Sequence, residues 1–119
     1  MAKVTHFEIE GPDGKKLQDF YSGLFNWTVD AGNQMNYGIV SAVDNGIGGG
    51  ITASQDGKAS VKVYVEVDSI DRYLEKAKAM GGKVIMERTV LPGMVTMAQF
   101  ADPSGNVIGL AESDVPQAP

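Results

Sequence analysis

The chain has no cysteine. That excludes disulfides, thiolate zinc sites and cysteine nucleophiles, and it fits a reducing compartment. Histidine occurs once, as His6. No His–His metal pair can form, and no hydrolase triad that leaves His6 another role. Basic excess is also missing: 10 Lys and Arg face 15 Asp and Glu, a net charge of -5. The lysines are scattered, so the clustered positive surface that neutralises phosphates is absent and nucleic acid is excluded as a partner. No apolar run nears the ~20 residues of a bilayer span, which removes the membrane as a partner. The N-terminus lacks the apolar core of a signal peptide, so a cytoplasmic location is expected.

Glycine, in contrast, is abundant, with 15 in 119 residues. The run at 46–50 is not a phosphate loop, because it lacks the Lys-Ser/Thr ending and leads into a strand. Its physical meaning is backbone room, which widens a cleft or lets a sheet curve. The length suits one domain, or two half-size modules sharing a core.

The clearest local signal is at 98–112. Pro103 presets a turn, Gly105 can take a positive φ, and Phe100 and the apolar run at 107–110 flank them as a buried hairpin. Earlier, residues 4–10 alternate with period two, placing His6, Glu8 and Glu10 on one face and Phe7 and Ile9 on the other. Asp13 is placed to cap a helix with the stripe Leu17, Phe20, Tyr21, Leu24 and Phe25, ending near Asn26. Strands are expected at 27–31, 37–43 and 47–53, with turns at 32–34 and 44–46. A polar stretch at 54–60 has no apolar periodicity.

The order then restarts. At 61–67 Val61, Val63, Val65 and Val67 share one face, and Lys62, Tyr64 and Glu66 the other. Asp68 is the expected cap of a helix carrying Ile70, Tyr73, Leu74, Ala77 and Met80, ended by Gly81 and Gly82. Strands at 83–91, 94–101 and 106–112 follow, with a turn at Pro92-Gly93. The expectation is an α+β chain of two tandem βαβββ modules, 1–53 and 61–112. They are joined by a linker at 54–60 and followed by a frayed tail at 113–119. The repeat has a period of ~56 residues, and halves of that size should complete one common core.

Five segments, in order, carry a family likeness: VTHFEI at 4–9, DFYSGLFNW at 19–27, YVEVD at 64–68, AMGGKV at 79–84 and FADPSGN at 100–106. On these the chain resembles the vicinal oxygen chelate superfamily of glyoxalase I, bleomycin-resistance proteins and extradiol dioxygenases. The resemblance implies paired, curved mixed sheets around a cleft, with helices outside. In metal-dependent members the first and last strand of each module supply one ligand each to a divalent ion. Carried onto this chain, those positions are His6, Lys62, Gly109 and Gly49 or Gly50. Lysine is a poor metal ligand at neutral pH, and glycine offers no side-chain donor.

A two-residue register change keeps the face of a strand, which brings in Glu8 and Glu66. His6, Glu8 and Glu66 are therefore the candidate metal set, since hard and borderline ions accept imidazole with carboxylates. Glu112 alternates with Ile108 and Leu110, opposite Gly109, and is a poorer candidate. Glu8 and Glu66 are also the candidate general bases, against the plainer reading of exposed strand carboxylates. His6, Tyr37, Tyr64 and Met97 are the candidate ligand-binding residues. The tyrosines would stack on a flat ligand, and Met35, Met86, Met94 and Met97 would form an adaptable apolar wall. Tyr21 and Trp27 read as core.

The expected function is metal-independent binding of a small organic molecule, with no cofactor, as in the antibiotic-sequestering relatives. The alternatives are a divalent-metal glyoxalase-like lyase or isomerase, or a dioxygenase, and a structural or partner-binding homodimer.

Overall fold

The computed structural model describes residues 2–91 and 95–112, backbone only at 44 and 45. The expected turn at Pro92-Gly93, Met94 and the tail at 113–119 lie outside the described residues. The chain is α+β and forms two compact units. One runs from Thr5 to Lys62; the other gathers residues 1–4 and those from Val63 onward.

The first unit contains most of β1 (Lys3–Gly11), then α1 (Gly14–Phe25), β2 (Val29–Asp30), β3 (Gly38–Val40), α2 (Ala42–Asn45) and β4 (Gly48–Ala53). Its sheet runs β2-β3-β4-β1, with β4 parallel to β1 and β3 antiparallel to both its neighbours. The Asp13 carboxylate caps α1 by accepting the Lys16 N–H at 3.1 Å. Asn26 ends the helix in the left-handed region at φ 59°.

Three details differ from expectation. β2 is only two residues, β3 stops at Val40, and a helical turn, α2, replaces the turn at 44–46. Ser41 accounts for that helix, because its hydroxyl accepts the Val43 N–H at 3.1 Å. The stripe on α1 is also less buried than its spacing implies. Phe20, Leu24 and Phe25 stay more than half exposed. The buried anchor is Gln18, whose amide donates to the Ile51 and Asn36 carbonyls at 2.8 and 3.0 Å. A polar residue holds the helix where an apolar one is expected, because it satisfies the buried Ile51 carbonyl and the partly buried Asn36 carbonyl.

The second unit holds most of β5 (Ser60–Val67), then α3 (Ile70–Ala79), β6 (Lys83–Leu91), β7 (Val95–Ala101) and β8 (Val107–Glu112). Its sheet order is β5-β8-β7-β6, again with one parallel pair, β5 and β8. Val67, Ile70, Leu74, Ala98 and Leu110 form the core between α3 and the sheet. Ser69, not Asp68, caps α3, accepting the Arg72 N–H at 3.3 Å, while Asp68 pairs with the Arg72 guanidinium at 2.7 Å. Glu112 adds a second cap by accepting the Ile70 N–H at 2.8 Å. Gly81, at φ +95°, ends the helix as expected. Among the described residues no helix is long and apolar enough to cross a membrane.

Candidate functional site

The period-two pattern of β1 sends Phe7 toward the Trp27 ring, 5.7 Å away between centroids. His6, Glu8 and Glu10 therefore share the opposite face. Parallel pairing sets Glu8 beside Gly50, and Phe7 beside Gly49. A side chain at 49 would enter the Phe7 ring, and one at 50 would enter the Tyr37 phenol. Of the two glycines, Gly50 is the one on the face of His6.

Tyr37 reaches this face from the loop before β3. Asn33 holds its backbone from both sides: Oδ1 accepts the Tyr37 N–H at 3.0 Å, and Nδ2 donates to the Tyr37 carbonyl at 2.7 Å. Asn36 turns the chain with φ 53°. The Tyr37 hydroxyl then lies 2.9 Å from His6 Nε2 and donates to Glu8 Oε2 at 3.0 Å. A phenol has one proton to give, so with Glu8 as its acceptor it accepts from His6 Nε2–H. Burial holds the His6 imidazole below its ordinary value of 6.5, which keeps the ring neutral at neutral pH.

Lys62 completes the cluster. Its ammonium is nearly buried, 3.0 Å from Glu10, 3.8 Å from Glu8 and 3.3 Å from the Ser60 hydroxyl. Glu10 and Ser60 were not among the expected site residues, although the alternation that marks His6 and Glu8 marks Glu10 too. Asn33 left no signal beyond a turn.

In the second unit the same device recurs from a different source. Tyr64 pairs in register with Gly109, and a side chain at 109 would enter the Tyr64 ring. Gln99 donates to the Tyr64 hydroxyl at 3.2 Å. Met97 stands opposite Ala111, and Glu66 beside it on the β5 side. The structure thus joins His6, Glu8, Tyr37 and Lys62 in one network. Tyr64 is placed with Gln99, while Glu66 and Met97 belong to that second sheet.

The donors do not fit the divalent ion that this fold implies elsewhere. Among the described residues no three His, Asp or Glu side chains are grouped to hold a metal. His6 and Glu8 are bridged by a phenol, a lysine ammonium stands beside Glu8, and the space over Gly50 is taken by Tyr37.

The profile of the Glyoxalase/Bleomycin resistance protein/Dioxygenase superfamily matches residues 3–110, and the chain belongs to that family. It is 32% identical over 127 residues to the anthracycline biosynthesis protein DnrV of Streptomyces peucetius, covering 83% of this chain and 42% of DnrV. The chain thus spans less than half the length of that relative. Among solved structures it is similar to hypothetical protein BH1468 of Bacillus halodurans, with a TM-score of 0.70, 16% identity, and coverage of 99% and 98% of the two chains. It is also similar to methylmalonyl-CoA epimerase of Mycobacterium tuberculosis, with a TM-score of 0.66, 12% identity, and coverage of 98% and 88%. These last two likenesses concern the fold.

Proposed function

We propose that this chain binds a small organic molecule, without a metal ion, on the face formed by His6, Glu8, Tyr37 and Lys62. The observation that carries this reading is the Tyr37 phenol lying over Gly50. A carboxylate ligand has no room there, whereas a phenol held by two hydrogen bonds is an ordered recognition group with an aromatic face. Tyr64 over Gly109 supports the same reading for the second module. The likeness to an anthracycline biosynthesis protein makes polycyclic aromatic compounds the first class to try. The test is dialysis against a chelator, followed by metal analysis and a thermal-shift screen with such compounds. Unchanged stability and a ligand-dependent shift in the dialysed protein are expected. Tightly held metal at one ion per chain would overturn the reading.

A second reading is favoured by the hydrogen-bond chain from His6 through Tyr37 to Glu8. Such a chain can move a proton to or from a bound substrate, with Glu8 as the base and the phenol as relay. Tyr37→Phe separates the two readings: if the phenol is a recognition group, ligand affinity falls, whereas if it is a proton relay, affinity is kept and turnover is lost.

A further inference from the structure

On the other face of the second sheet, α3 carries Tyr73, Ala77 and Met80 at spacings of four and three along one side. The middle residue is the smallest of the three. A cavity of about 370 Å³ results, floored by Val65, Phe100 and Leu110. Gly82 N–H bonds the Ala77 carbonyl at 2.8 Å. A Cβ at 82 would come within 2.9 Å of the Ala101 carbonyl, so glycine is what lets the chain leaving the helix pass this close to β7. The volume is within the range of small-molecule sites, roughly 300–1,000 Å³.

Two charged residues line the cavity, Lys76 and Asp102. They are not equivalent. The Asp102 carboxylate is spent on its own turn: Oδ1 accepts the Ser104 and Asn106 N–H groups at 2.9 Å, and Oδ2 accepts the Asn106 amide at 2.9 Å. Lys76 has no ion-pair partner among the described residues. We propose that this cavity is a second binding site for a free amphiphilic carboxylate, its apolar body under Ala77 and its carboxylate on the Lys76 ammonium.

Titration of the isotope-labelled protein with decanoate tests this. Saturable shifts at Ala77, Phe100 and Leu110 are expected, with decyltrimethylammonium much weaker. Lys76→Gln should weaken decanoate by about tenfold, the usual scale for one charge-assisted contact. Ala77→Leu should abolish binding by filling the cavity without lowering the melting temperature. Should that variant lose its circular dichroism, Ala77→Val carries the same steric test. Equal binding of the ammonium compound, or decanoate binding unchanged in both Lys76→Gln and the filled variant, would overturn the assignment.

Discussion

The Tyr37 hydroxyl occupies the place where the first side-chain atom of any larger residue at Gly50 would stand. The two positions are 13 apart in sequence and belong to a loop and to the centre of a sheet, yet neither can change without the other.

Their dependence can be measured. Gly50→Ala should destabilise the protein by about 1–3 kcal/mol, the usual range for overpacking a filled site. In a Tyr37→Ala background the same change should have a much smaller effect. Urea unfolding of the four proteins gives the coupling. Additive effects would show that the phenol does not rest on Gly50.

Tyr37→Phe keeps the ring and removes the hydroxyl that links His6 and Glu8. A loss of about 1–3 kcal/mol is expected, because partly buried partners each lose a hydrogen bond. Asn33→Ala should reproduce part of that loss, since Asn33 fixes the Tyr37 backbone. Unchanged unfolding midpoints for both variants would rule out this network as a stabilising one.

The pH dependence follows from His6. Burial disfavours the imidazolium, so the folded protein holds His6 below 6.5. The contribution of the neutral ring to stability is whole above the unfolded value and is lost as pH falls through the depressed folded one. Unfolding midpoints should therefore drop as pH falls below the ordinary value of 6.5, and His6→Gln should flatten the slope. With one histidine in the chain, a single imidazole resonance reports the titration directly. A midpoint at or above 6.5 would contradict the burial effect.

Lys62→Met leaves Glu8 and Glu10 facing each other without the cation between them. Losing one partner from a nearly buried ion pair typically destabilises by about 3 kcal/mol or more. The exposed pair of Lys15 and Asp19 supplies the control: Lys15→Met should change stability by less than about 1 kcal/mol. Equal effects of the two substitutions would show that burial at Lys62 carries no weight.

Much of this was legible beforehand. Alternation found the faces of β1 and β5, Asp13 and Gly81 marked helix ends, and Asp102 to Asn106 gave the last hairpin. The misses were local competitions and long-range contacts. Ser69 won the cap from Asp68 because its hydroxyl, one residue later, meets the Arg72 N–H. Ser41 made a helical turn from what composition reads as a plain turn. Tyr37 and Gly49 or Gly50 are both legible as site positions, but the pairing of Tyr37 with Gly50 is not, because a glycine in a sequence shows that room is needed and not what fills it. Glu10 is visible in the alternation, but its pairing with Lys62, 52 residues away, is a tertiary contact that no local pattern carries.

The tyrosine laid over Gly50 also constrains how this lineage can change. An acidic residue arriving at 50 collides with the phenol. A smaller residue arriving at 37 opens a hollow and strips a hydrogen bond from His6 and from Glu8. Each single step costs stability before the second can compensate, so placing a carboxylate there takes two nearly simultaneous substitutions. The packing of one ring on one glycine ties the fates of the two positions together.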